Sequence, residues 1–140
     1  MQIHASCVAR EGAGVLLLGP SGSGKSDLAL RLLDRGFMLV ADDRVEIVNG
    51  MARPPARLAG LLEVRGLGVV RLPYVHEARV ALAVELGTNG PRLPEPRRHD
   101  TLDVPLIDLD PTHPSAAQRV ALALDCATGR MAQVAGAFAP

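Results

Sequence analysis

The sequence predicts an α/β fold, a P-loop-containing mixed sheet with flanking helices, and four stretches predict it. Val15 to Leu18 is a short apolar run that reads as a buried strand. It leads into Gly19-Pro20-Ser21-Gly22-Ser23-Gly24-Lys25-Ser26, which matches G-x-x-x-x-G-K-S, a complete P-loop. A second apolar run, Phe37 to Ala41, ends in Asp42-Asp43 and resembles a Walker B strand. Val80 to Leu86, V-A-L-A-V-E-L, reads as a third strand.

Taken in order, Ile3 to Val8 alternates loosely and reads as a first strand, with His4 in or beside it. Glu11-Gly12-Ala13-Gly14 is a turn that returns the chain antiparallel into Val15 to Leu18, so this part of the sheet is not purely parallel. Asp27 to Arg35 reads as a helix with Leu28 and Leu32 on one face, and Gly36 stops it. The chain then returns to Phe37 to Asp43, a βαβ unit whose two strands end near the same loop. Val45 to Val48, Asn49-Gly50 and Met51-Ala52 read as a hairpin, because Asn-Gly suits a two-residue turn. Leu58 to Leu62 is a short helix or turn, and Glu63-Val64-Arg65 precedes the glycines Gly66 and Gly68.

Gly87 to Thr101 breaks regular structure and carries Arg92, Arg97, Arg98 and His99. It is either a solvated loop or a lid that brings Arg to a transferring phosphate. Leu102 to Leu109, with Pro105 inside, reads as an edge strand. Asp110 to Pro114 turns into a last helix from Ser115 to Ala127, with Ala116, Val120, Ala121 and Leu124 on its apolar face.

Composition narrows the function. The 140 residues suit one domain, 1–140, and the core must be aliphatic because aromatics make up only 2%. Formal net charge is zero, which gives no electrostatic reason for a nucleic-acid or anionic-membrane partner. No apolar run is long enough to span a bilayer, and the N-terminus lacks a signal pattern, so a cytoplasmic setting is expected. Cys7 and Cys126 match no metal spacing and are expected as reduced thiols.

The chemistry follows from the loop. Glycines at 22 and 24 let backbone approach phosphate oxygens, and the helix N-terminus attracts anions. Lys25 reaches β and γ phosphates, and the Ser26 hydroxyl holds Mg²⁺. Asp42 and Asp43, adjacent in extended chain, point to opposite faces and do different jobs. One accepts a proton and the other serves the metal or fixes an arginine; the plain alternative is that one of them caps or pairs with Arg44. Glu63 and Arg65 share a face, as a metal ligand and a neutraliser of phosphoryl charge, or as a plain surface ion pair. No N-K-x-D motif reads a guanine base.

Three motifs together, G-P-S-G-S-G-K-S, L-V-A-D-D-R-V-E-I and L-L-E-V-R-G-L-G-V-V, resemble the catalytic domain of the HPr kinase/phosphorylase family. The resemblance runs from Ile3 to Val70. It implies a fold similar to the nucleotide-binding part of phosphoenolpyruvate carboxykinase. It implies ATP- and Mg²⁺-dependent phosphorylation of a serine of HPr, a small phosphocarrier protein, and in many members the reverse phosphorolysis to pyrophosphate. By resemblance His4, Lys25, Asp42 and Asp43 are catalytic, with Asp42 the favoured base and His4 tuning it, and Ser26 and Glu63 bind metal. Arg65 and Arg92 complete the set, and a hexamer is expected. This chain resembles a short form that begins at the catalytic domain. In place of the family's late P-V-R-P-G-R segment it has Val104-Pro105-Leu106-Ile107-Asp108-Leu109. A small-metabolite kinase and a non-catalytic nucleotide sensor that binds the carrier are the alternatives.

Overall fold

The computed structural model describes residues 1–87 and 90–140. Along the chain run β1 (Gln2–Ile3), β2 (Ala5–Arg10), β3 (Ala13–Leu18), α1 (Lys25–Leu33), β4 (Met38–Ala41), β5 (Val45–Val48) and β6 (Met51–Arg53). A 3₁₀ turn (Ala56–Leu58) leads to β7 (Leu61–Val64), β8 (Gly68–Arg71), β9 (Ala78–Leu86), β10 (Leu106–Leu109) and α2 (Ala116–Ala127). The main sheet is mixed, in the order β1-β5-β6-β9-β3-β2-β4, with β10 also paired to β9. β7 and β8 form a separate hairpin.

Glu11 and Gly12 both adopt positive φ, 52° and 82°, and return the chain so that β2 and β3 pair antiparallel from Ala5↔Leu18 to Arg10↔Ala13. The βαβ unit skips one strand. β2 is antiparallel to both β3 and β4 and lies between them, so β3 and β4 run parallel without touching. β9 pairs parallel with β3, and β10 parallel with β9. The expected hairpin is present, with Asn49 and Gly50 at φ 52° and 77°, the left-handed pair that a tight two-residue turn requires.

Strand periodicity divides the core in two. Val8, Val15, Leu17, Leu82 and Val84 face Leu28 and Leu32 of α1 and Val120 and Leu124 of α2. Cys7, Ala9 and Leu16, their alternates, face the opposite side with Val40, Val45, Ile47 and Ala52. There the sheet covers itself: β5 lies against β2, and β6 against β4, without pairing. β2 is therefore buried on both faces and carries no alternation of polarity. Leu102 to Leu109 is shorter as a strand than its apolar content predicts. Pro105 stands before β10, where its carbonyl accepts from Ala83 N–H. The segment 87–105 is irregular where described; the part of it at Thr88 and Asn89 lies outside the described residues. No helix is long and apolar enough to cross a membrane among the described residues.

Candidate active site

Parallel strand order places four strand ends at one edge of the sheet. β3 runs out into Gly19, β4 into Asp42, β9 into Gly87 and β10 into Asp110. The start of β2 comes to the same edge because β2 is antiparallel to β3, and it brings His4 there. Ligands of open α/β sheets bind at such carboxyl ends.

The glycine-rich loop, Gly19 to Ser26, curls between β3 and α1. Ser23 N–H donates to Pro20 O at 3.0 Å and closes it. Gly22 and Gly24 hold φ of 81° and 101°, which a side chain rarely adopts. A Cβ at Gly22 meets nothing within 4 Å, so the backbone there is open to a ligand. At Gly19 a Cβ would meet Ser23 Oγ at 2.6 Å, so Gly19 is needed for the loop to fold onto itself. α1 starts at Gly24 without a side-chain cap, which leaves its first N–H groups aimed out of the loop. Lys25 is 7% exposed and donates from Nζ to Gly19 O (2.6 Å) and Pro20 O (2.9 Å). Burial pushes its ammonium pKa down, against the pull of Asp43, Asp42 and Glu85.

The two aspartates part company. Asp42 is 6% exposed, and its Oδ1 accepts from Ser6 Oγ at 2.6 Å and Ser26 Oγ at 2.7 Å. Its Oδ2 accepts from Glu63 N–H at 3.3 Å. Asp42 therefore ties β2, α1 and β7 together. Asp43 has φ 71°, and Arg44 N–H donates back to Asp42 O at 2.9 Å across it, a tight three-residue turn. This left-handed kink turns the Asp43 carboxylate outward, where its Oδ1 meets His4 Nε2 at 2.9 Å. The sequence placed His4 against the favoured base, Asp42. The structure places it on Asp43, because the kink and not plain strand alternation sets where each carboxylate goes.

A cavity of about 530 Å³ brings together His4, Lys25, Ser26, Asp43, Glu63 and Arg65. Ser21, Gly22 and Gly24 form its floor, and Val64 with Leu30 its apolar wall. Glu63 and Arg65 reach it from the β7–β8 hairpin, on either side of Val64. Pro20 belongs to the loop through its carbonyl alone, and Ser23, its hydroxyl tucked against Gly19, lines a second cavity beside Pro111. Arg92 does not join the site. It is exposed in the irregular segment before β10 and lines neither cavity. Its neighbours Arg97 and Arg98 are held locally, by Asp108 at 3.0 Å and Asp103 at 2.7 Å. Sequence reasoning missed Ser6, whose signal is a hydroxyl inside a wholly buried strand, and Glu85, whose field reaches Lys25.

The family model described as the HPr serine kinase C-terminal domain matches residues 1–85, which include every residue of this cavity. The chain belongs to that family. An HPr kinase/phosphorylase of Clostridium novyi (strain NT) is 43% identical over 79 residues, 54% of this chain. The chain spans about a quarter (26%) of that relative's length. The solved structure of the Hpr(Ser) kinase/phosphatase from Coxiella burnetii has a TM-score of 0.71 at 25% identity, and the match covers 93% of this chain and 90% of that one. The chain thus shares its fold with that structure over nearly its whole length.

Proposed function

We propose that this domain transfers the γ-phosphoryl group of ATP to a serine hydroxyl of an HPr-type phosphocarrier protein, with Asp43 as general base. The observation that carries the reading is the His4–Asp43 pair facing Lys25, Ser26 and Arg65 across one cavity. In this reading Gly19 to Ser26 is a P-loop, in a single domain similar to the nucleotide-binding part of phosphoenolpyruvate carboxykinase.

Asp43 takes the serine proton as the serine oxygen bonds to phosphorus and the bond to the β-phosphate oxygen breaks. His4 holds the Asp43 carboxylate in place through Nε2. Lys25 exchanges its two carbonyl partners for phosphate oxygens, and Arg65 neutralises charge on the transferred group. The donors fit Mg²⁺. The Ser26 hydroxyl donates its hydrogen bond to Asp42 and so turns a lone pair outward, and Glu63 adds a hard carboxylate oxygen. Ser26 and Glu63 would hold Mg²⁺, which would supply charge neutralisation on the phosphates. Asp42 acts from behind, by fixing the Ser26 hydroxyl. A protein substrate suits the surface beside the cavity. Leu67 and Val69 stand 73% and 66% exposed on the hairpin that carries Glu63 and Arg65. In the reverse direction an oxygen of inorganic phosphate bonds to the phosphoserine phosphorus, the bond to the serine oxygen breaks, and protonated Asp43 gives that oxygen its proton, leaving pyrophosphate and free serine. A cytoplasmic, hexameric enzyme is part of the same proposal.

Mass spectrometry of an HPr-type carrier incubated with this protein, ATP and Mg²⁺ tests the reading; one phosphoserine is expected. Adding phosphate then tests reversal. ATP-dependent complex formation without phosphoserine overturns the enzyme reading in favour of a sensor, and labelled small metabolites overturn the carrier.

A further inference from the structure

The glycine-rich loop has a cavity on each side. The first is the one just described. The second, about 360 Å³, lies on the other flank and is lined by Ser23, Asp27, Arg31, Pro111 and Thr112. Gly22, Gly24 and Asp27 line both, so the loop backbone and the first turn of α1 are a wall common to the two spaces. We propose that the second cavity holds the ribose and base of the nucleotide, with the Asp27 carboxylate accepting from ribose hydroxyls.

The inference rests on the phosphotransfer reading above and adds where the nucleoside goes. A triphosphate whose terminal phosphate meets Lys25 and Asp43 lies across Gly22 and Gly24, and its other end leaves the loop on the opposite flank. That flank is built. Pro111 packs on the loop itself, its Cγ 3.2 Å from where a Gly24 Cβ would stand. Arg31 Nη2 donates to Pro111 O at 2.5 Å, and its Nε stands 3.2 Å from Asp27 Oδ2, so one guanidinium holds both walls of the cavity. Asp110 Oδ1 accepts from Thr112 N–H at 2.9 Å and Thr112 Oγ1 at 2.7 Å, which fixes the rim. The volume falls within the range of about 300–1,000 Å³ usual for small-molecule sites. Asp27 keeps most of its carboxylate open, with its side chain 71% exposed, and a carboxylate suits a pair of sugar hydroxyls. The groups of this turn able to read a base edge are already engaged: Pro111 O by Arg31, and Thr112 N–H and Oγ1 by Asp110. Affinity from this cavity therefore comes from ribose and from stacking area, with little discrimination among bases.

The test compares ATP with inorganic tripolyphosphate, which has the same phosphates and no nucleoside, by calorimetry with Mg²⁺ present. Thr112→Trp fills the second cavity from an exposed position. Asp27→Ala removes the hydroxyl acceptor. In the unaltered protein ATP is expected to bind more tightly than tripolyphosphate. Each substitution is expected to weaken ATP about tenfold and to leave tripolyphosphate within about twofold. Equal binding of the two ligands by the unaltered protein, or loss of both ligands together in both variants, overturns the nucleoside assignment. If the unaltered protein binds neither ligand, the phosphotransfer reading itself fails.

Discussion

Ser26 donates its hydroxyl to Asp42 Oδ1 over 2.7 Å, and Ser6 donates to the same oxygen from the other side at 2.6 Å. A carboxylate placed so is first a structural tie and only then a participant in chemistry. Asp42→Ala leaves two hydroxyls and the Glu63 N–H without their acceptor in a buried place. Each orphaned group costs about 1–3 kcal/mol, and partial re-pairing of the two serines brings the expected loss to about 2–3 kcal/mol. Urea melts of the variant measure it.

Asp43 is held at φ 71°, where a non-glycine residue is strained by about 1–3 kcal/mol. Glycine adopts that conformation freely but loses more chain entropy on folding, about 0.5–1 kcal/mol. Asp43→Gly should therefore raise stability by up to about 1 kcal/mol while phosphotransfer is lost. Thermal melts beside carrier phosphorylation assays show whether the two properties move in opposite directions.

Lys25 carries a charge that burial opposes, so its pKa lies below the ordinary 10.5. A lysine lowered in the folded state costs stability while charged, and that cost fades as pH rises from the lowered value to 10.5. Lys25→Met, which removes the charge, should abolish tripolyphosphate binding and lower the melting temperature at pH 7 by no more than about 2 °C, if at all. A large loss of stability would mean that the bonds to Gly19 and Pro20 outweigh the desolvation.

Cys7 is fully buried, and burial pushes its thiol up to about 12 from 9.0. A group raised in the folded state adds stability that is fully present below 9.0 and is lost as pH rises toward 12. At pH 8 iodoacetamide should modify Cys7 only after unfolding, whereas partly exposed Cys126 reacts in the native protein. Peptide mass spectrometry separates the two sites.

Much of this site was legible in the sequence because its parts are local. G-x-x-x-x-G-K-S needs only a strand before it and a helix after it, and both form from adjacent apolar residues. His4, Glu63 and Arg65, which the resemblance singles out, line one cavity with the loop. The partner of His4 was not legible. Strand alternation sends Asp42 and Asp43 to opposite faces but does not say which of them kinks, and the kink at Asp43 depends on Asp42 being anchored by Ser6, 36 residues away. The strand between β3 and β4 was hidden for a similar reason. β2 precedes both in sequence, and only long-range pairing inserts it. Arg92 is singled out by the resemblance, in a loop whose Arg97 and Arg98 pair with nearby aspartates, and no local signal tells a ligand-facing arginine from a solvated one.

One measurement tests Asp43 as the proton acceptor directly: the rate of phosphoserine formation on an HPr-type carrier by Asp43→Asn, with ATP affinity measured on the same sample. The expected result is a fall of about 10²–10⁴-fold in rate with ATP affinity within about twofold of the unaltered protein. A variant that phosphorylates the carrier at an undiminished rate would contradict it.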